Sequence, residues 1–364
     1  MRNSSGRRPS KARTPRGAAS GTSLEVVLAT GVLALLIAGL AAALSGVHPT
    51  SGQAAATARA ASAAVARAAA KVAGPAPIST SWLSAHPDAS LEVHGKADIL
   101  VDVDAGQVLW ARDPHTPRAP ASLTKLVTAM VAADLAPLDR NVTVTAATDM
   151  AAVRKVEPTS TVMGLDAGEV LTVRELLYGL FLRSGNDAAE TLGGGIVARE
   201  RFVQLMNDKA AALHMRDSHF TTPVGLDDLV MRTSPYDLAI AAGTITTRYP
   251  ALLAISGTPS MQLAATATHK AFDMTNYNKL VLPGNQYAYQ GATGMKTAFT
   301  DDAGPCMVAT ATRGGRHLVA VVMNSDNFFA DATRLLDYGF SQSVATEPNA
   351  EAPLGAWVSN PPDL

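Results

Sequence analysis

The chain has 364 residues, 47% of them hydrophobic, so it is long enough to bury a substantial core in one large domain or two ordinary ones. Its formal net charge is −1, and its single cysteine, Cys306, excludes intramolecular disulfides and cysteine-based metal clusters. Basic residues are concentrated at the N-terminus, where six precede the first acidic residue. We interpret this asymmetry as a targeting signal and not as a nucleic-acid-binding surface.

Residues 26–47 carry no charge and are mostly Val, Leu, Ile and Ala. A helix of roughly 20 such residues can cross a bilayer, and the basic flank predicts that the N-terminus stays inside. Two interpretations remain open: a signal peptide cleaved near Ala41–Ala43, or a retained single-pass anchor, which the length of the run favours. Either way we expect the rest of the chain to lie outside the cytoplasm, at the cell membrane or, after cleavage, secreted.

Composition then predicts five segments: a cytoplasmic basic segment (1–25), the anchor or signal (26–47), an Ala/Gly/Pro-rich linker (48–85), a folded domain (86–342) and a disordered polar tail (343–364). We expect any membrane anchoring to come from residues 26–47.

Within the folded domain, β-rich runs at 98–103 and 107–112 flank a Gly-containing turn and predict a hairpin. A proline-rich segment then precedes a helix that carries Ser122 and runs to about Asp134. The middle of the chain is predicted to be helical, at 172–183, 186–199, 201–214 and 235–247. Strand signals return at 294–300, 306–312 and 317–323, before a last helix at 330–340.

Two early and three late strands imply one five-stranded antiparallel sheet whose edges come from both ends of the domain, with helices segregated around it. The fold class predicted from the sequence is therefore α+β.

Ser122 and Lys125 form the only Ser-x-x-Lys in the sequence, at the head of an apolar helix. Residues three apart lie on one helix face, so the amine is within reach of the hydroxyl and can take the proton that a nucleophilic serine must lose. An isolated Ser-x-x-Lys is more often a helix-start serine beside a solvated lysine. The hypothesis of a catalytic pair therefore depends on further motifs.

Two further elements follow in the chain. Ser184 and Asn186 lie at a break between two predicted helices, from which both side chains can face a cleft. The same Ser-x-Asn pattern recurs at 325–327, where a helix cap is the simpler interpretation. Lys296 and Thr297 form the only Lys-Thr, at the start of a strand, where the ammonium and hydroxyl can bind a carboxylate and the charge can lower the pKa of a nearby Lys125.

In this order the three motifs resemble the active-site set of penicillin-binding proteins and class A β-lactamases. The chain resembles most specifically the D-alanyl-D-alanine carboxypeptidases, the low-molecular-mass penicillin-binding proteins of peptidase family S11. The resemblance covers roughly residues 95–340 and is strongest in five segments: 120–125, 184–189, 202–207, 219–227 and 335–340.

The resemblance implies a β-lactamase/transpeptidase-like fold, with a helical subdomain beside the sheet. It also implies a serine hydrolase that removes the terminal D-alanine from peptidoglycan stem peptides ending in D-Ala-D-Ala, with β-lactams as covalent inhibitors and without a metal or organic cofactor. Ser122 would be the nucleophile, Lys125 its base and Ser184 the proton relay to the leaving D-alanine.

The remaining implied roles concern substrate binding. Asn186 would hold the substrate amide, and Lys296 with Thr297 the terminal carboxylate. The backbone N–H groups of Ser122 and Phe299 would form the oxyanion hole.

One residue departs from the family pattern, which has Lys-Thr-Gly where this chain has Lys-Thr-Ala, ending in Ala298. We expect the added methyl group to slow acylation without preventing it. Two alternatives stay open: a catalytically weak peptidoglycan-binding module, suggested by Ala298, and a β-lactamase. No Glu-x-x-Leu-Asn segment follows the second motif, and Glu190 and Glu200 lack the neighbours that would place a deacylating water.

Overall fold

The structure, a computed structural model, describes residues 91–145 and 160–342. The proposed basic segment, anchor, linker and tail therefore lie outside the described residues. Among those described, no single helix combines the length and hydropathy needed to span a bilayer, and only the bent pair formed by the helices Pro235–Arg248 and Pro250–Ser256 meets those criteria, by length and composition alone.

A five-stranded antiparallel sheet forms the centre of the domain. Its strands are β1 (Ala97–Asp102), β2 (Gln107–Arg112), β7 (Ala292–Ala298), β8 (Cys306–Arg313) and β9 (Arg316–Met323), in the order β2-β1-β9-β8-β7. The two early strands form the predicted hairpin, and β1 also pairs with β9, the last strand of the described residues. The prediction of one sheet with edges from both ends of the domain is confirmed, and β7 is the late edge.

Helices cover both faces of this sheet. Helix α5 (Pro235–Arg248) packs on one face and α7 (Phe328–Ser341) on the other. Because both faces are covered, β1 and most of β8 and β9 are buried at every position, which explains their nearly continuous apolar sequences.

The remaining helices form a subdomain beside β7. They are α1 (Lys125–Leu135), α2 (Val173–Leu182), α3 (Asn186–Gly195), α4 (Arg199–Ala212) and α6 (Pro250–Ser256). Helix α2 begins with a capping box, in which Thr172 and Glu175 each accept a hydrogen bond from the other's backbone N–H. This cap defines the start of α2. The turn that carries Ser184 follows the other end of the same helix.

The expectation that the middle of the chain is purely helical is wrong. Two small antiparallel sheets lie there, one formed by β3 (Asn141–Thr143) with β4 (Val170–Thr172) and one by β5 (Ser260–Leu263) with β6 (Phe272–Thr275). Each strand has only three or four residues, too few to establish an alternating pattern in the sequence. At 325–327 the Ser325 hydroxyl accepts the Asn327 N–H (3.1 Å) just before α7, so this Ser-x-Asn supports a helix start, although Asn327 itself makes no side-chain cap.

Candidate active site

A cleft of about 500 Å³ opens along the edge of β7. Five of the seven predicted site residues line it: Ser122, Ser184, Asn186, Thr297 and Phe299. The other two, the lysines of the first and third motifs, are buried and do not line it.

Ser122 lies in a tight turn. A 3-10 helix, Ala121–Thr124, precedes α1, and Ala121 has a φ of 46°, in the left-handed region that disfavours residues with a Cβ. Gly225 (φ 88°) lies so close behind this turn that a side chain on it would overlap the carbonyl of Ala121. A strained backbone held by its neighbours therefore presents the Ser122 hydroxyl to the cleft.

The geometry around Lys125 suits a neutral amine. Its Nζ lies 2.8 Å from Ser122 Oγ, 2.6 Å from Asn186 Oδ1 and 3.0 Å from the carbonyl oxygen of Val224. A neutral amine has two N–H bonds and one lone pair, whereas Asn186 Oδ1 and the Val224 carbonyl can only accept. In the neutral form Lys125 would donate to these two oxygens, which leaves its lone pair for the proton of the Ser122 hydroxyl, as a base requires.

Electrostatics favour the same protonation state. Complete burial lowers the pKa of Lys125 well below its usual 10.5, and the charge of Lys296 lowers it further, against the opposing effects of Asp187 and Glu190. Burial also lowers the pKa of Lys296, to about 7. Both amines thus lose much of their preference for the charged form, and burial is the larger cause.

Both residues of the second motif line the cleft, but their hydrogen bonds differ. Ser184 has a φ of 55°, and its carbonyl accepts the Thr161 hydroxyl at 2.9 Å. Its own hydroxyl makes no hydrogen bond to any described residue, so the structure contains no direct link from Ser184 to Lys125. Asn186 bridges two groups, with Oδ1 at Lys125 and Nδ2 donating to Ser160 Oγ at 2.5 Å.

The predicted oxyanion-hole donors are available. Leu123 N–H bonds to the Pro120 carbonyl (3.1 Å), but the Ser122 N–H, one residue earlier, donates to no described residue. The Phe299 N–H, just past the end of β7, also has no acceptor in the described ranges. Two unengaged N–H groups at one cleft meet the first requirement of an oxyanion hole.

Sequence reasoning missed a clamp built on Asp187. This carboxylate is 1% exposed and accepts the N–H groups of Met163 (2.8 Å), Gly164 (2.7 Å) and Leu165 (2.9 Å). It thereby ties the segment beginning at Ser160 to the start of α3. Asp187 lies in the segment 184–189 that resembles the family, but nothing in the sequence identifies the backbone groups it binds.

The comparisons with known proteins agree with this geometry. Residues 83–327 match the D-alanyl-D-alanine carboxypeptidase family, Peptidase S11. The chain is 32% identical to D-alanyl-D-alanine carboxypeptidase DacF of Bacillus subtilis and 35% identical to DacD of Escherichia coli, over 70% and 68% of its length. These matches span 64% and 63% of the two relatives.

Solved structures give the same result. A penicillin-binding protein homologue from Mycobacterium tuberculosis superposes with a TM-score of 0.63 at 30% identity, covering 72% of this chain and all of that one. A DD-transpeptidase from Streptomyces superposes with a TM-score of 0.61 at 29% identity, covering 69% of this chain and 98% of its own. The fold prediction is confirmed, and the chain belongs to the peptidase S11 family of D-alanyl-D-alanine carboxypeptidases.

Proposed function

We propose that the protein is a serine D-Ala-D-Ala carboxypeptidase that removes the terminal D-alanine from peptidoglycan stem peptides. The observation that carries the proposal is the 2.8 Å approach of the Lys125 amine to the Ser122 hydroxyl inside a cleft of substrate size. Membership of the S11 family supports the same reaction.

Acylation begins when Ser122 Oγ attacks the carbonyl carbon between the two D-alanines while Lys125 takes the hydroxyl proton. The tetrahedral oxyanion would accept the backbone N–H groups of Ser122 and Phe299. Collapse breaks the C–N bond, and the proton passes to the leaving D-alanine nitrogen. Ser184 is the proposed carrier, through its unengaged hydroxyl.

Deacylation reverses the roles. Water attacks the ester carbonyl, Lys125 accepts a proton from it, and Ser122 Oγ leaves with a proton returned by the ammonium. Asn186 would hold the substrate amide, and Thr297 and Lys296 the terminal carboxylate.

The proposal extends to location. The uncharged run 26–47 behind a basic flank supports an anchor or signal that places the domain outside the cytoplasmic membrane. Mass spectrometry of the mature N-terminus tests this: an intact Met1 or Arg2 terminus supports an anchor, and a new terminus after 41–43 supports cleavage.

A β-lactamase is the less favoured alternative. A class A β-lactamase needs a carboxylate that is free to activate the deacylating water. Glu190 is engaged instead with Arg199, whose Nε and Nη2 nitrogens lie 2.7 and 2.9 Å from its two oxygens. This bidentate pair orients Glu190 as a link between helices α3 and α4.

One experiment separates these functions. The purified protein and its Ser122→Ala variant are incubated with a stem pentapeptide, fluorescent penicillin and a chromogenic β-lactam. D-Alanine release with stable labelling, both lost in the variant, is the expected result. Rapid β-lactam turnover would instead favour a β-lactamase, and the absence of all three signals would favour a binding module.

A further inference from the structure

The cleft contains a cation that none of the three motifs includes. Of the described residues that line the cleft, only Lys279 is cationic. It begins a 3-10 turn, Lys279–Val281, that packs against strand β7, the strand that carries Thr297. The turn thus brings an ammonium group to the same edge as the predicted carboxylate-binding hydroxyl.

The surroundings of Lys279 hold the ammonium without neutralising it. Its Nζ lies 5.7 Å from the ring centroid of Tyr287 and 5.6 Å from that of Phe329, distances at which the ring faces attract a cation. The two rings are themselves stacked, with centroids 5.0 Å apart. No carboxylate of the described residues pairs with Lys279. Its charge therefore remains available to a ligand.

Lys296 is placed differently. It is 1% exposed, is absent from the cleft lining, and donates from Nζ to the carbonyl oxygen of Thr297 at 2.7 Å. Burial lowers its pKa to about 7. A carboxylate in the cleft would meet the exposed ammonium of Lys279 more readily than this buried amine.

The other charges in the cleft are acidic and belong to different loops. Asp227 follows Gly225 and accepts the Asp302 N–H at 3.2 Å, and Asp301 follows the end of β7. Both repel an anion, which leaves the turn at Lys279 as the part of the cleft that attracts one.

We propose that Lys279, which lines the same cleft as Thr297, binds the terminal carboxylate of the leaving D-alanine and makes the site specific for a chain end. This inference rests on the proposed carboxypeptidase function and adds a specificity-determining residue to it. Lys296 keeps its proposed part in holding the carboxylate, and its charge also lowers the pKa of Lys125.

The test compares one peptide in two forms, diacetyl-L-lysyl-D-Ala-D-Ala with a free C-terminus and the same peptide as its C-terminal amide. The free peptide has a single carboxylate, so any charge effect reports on that group. The purified protein is compared with Lys279→Met and Lys279→Arg, and Lys96→Met serves as a control that removes an exposed lysine outside the cleft. Both peptides are also measured as competitors of penicillin labelling, so the comparison does not depend on turnover of the amide.

We expect Lys279→Met to lower kcat/KM for the free peptide roughly 10-fold, mainly through KM, with the amide nearly unchanged and Lys279→Arg largely restoring the difference. Equal losses for both peptides would indicate a purely structural role, and no loss for either would also overturn the inference. A wild-type protein that releases no D-alanine would instead overturn the proposed function, and the inference with it.

Discussion

Lys296→Met is expected to make the protein more stable while impairing its reaction. In the folded state burial lowers the pKa of this amine from 10.5 to about 7. At about 1.4 kcal/mol per pKa unit, holding the amine in the core costs about 5 kcal/mol once the unfolded chain is fully protonated. Methionine has a similar length and no charge, so it removes this cost at a site already surrounded by protein.

The direction of the Lys296 pKa shift determines how the stability of the protein depends on pH. Because the folded pKa is the lower one, the unfolded state binds more protons between about pH 7 and 10.5, and the stability of the wild type rises with pH across that window. Below pH 7 the full cost applies, and above 10.5 it disappears. The stability difference between Lys296→Met and wild type should therefore be several kcal/mol at pH 6 and should shrink towards pH 10.

Urea unfolding of both proteins at pH 6, 8 and 10 measures this difference, with Lys96→Met as the matched control for loss of an exposed lysine. A difference independent of pH, or a Met variant less stable than wild type at pH 6, would refute the reasoning. The same variant removes a charge that lowers the pKa of Lys125. The acidic limb of its residual acylation rate by fluorescent penicillin should therefore move to higher pH.

Three further substitutions test the frame around the nucleophile. Asp187→Ala leaves buried N–H groups unpaired, so it should lower the free energy of unfolding by about 2–4 kcal/mol and slow acylation by penicillin. The control Asp166→Ala removes an exposed carboxylate and should change acylation little. Equal effects of the two substitutions on acylation would contradict the role of Asp187 as a clamp. Ala298→Gly should speed acylation by fluorescent penicillin, and an unchanged rate would rule out crowding by the methyl group. Gly225→Ala places a Cβ against the Ala121 carbonyl and should lower both the melting temperature and the acylation rate; wild-type values of both would show that the turn tolerates a side chain.

The sheet was predictable because its sequence signals are both local and strong. The hairpin of β1 and β2 has β-rich runs on either side of a turn, and strands buried on both faces have long apolar runs, as in β9. The small sheets were not predictable. Strand β3 consists of Asn-Val-Thr with one buried position, and only its pairing with β4 distinguishes it from a loop.

In the active site, too, local contacts were predictable from the sequence and contacts between distant segments were not. A spacing of three on one helical turn was enough to predict that Lys125 reaches Ser122. The partners of Asn186 were not predictable, since Lys125 and Ser160 approach it from distant parts of the chain. Lys279 belongs to no motif, and its importance depends on where its turn passes the edge of β7.

The pKa values of Lys125 and Lys296 depend on burial, which the sequence does not show. A neighbouring positive charge was expected to lower the pKa of Lys125, and Lys296 does act in that direction, but burial has the larger effect. Motif spacing can place two amines near each other, whereas their burial depends on packing from several elements at once. Removing Lys296 should therefore raise the pKa of Lys125 only partway towards 10.5, because the fold still encloses the amine. The basicity of Lys125 is thus set mainly by the protein interior and adjusted by its charged neighbour.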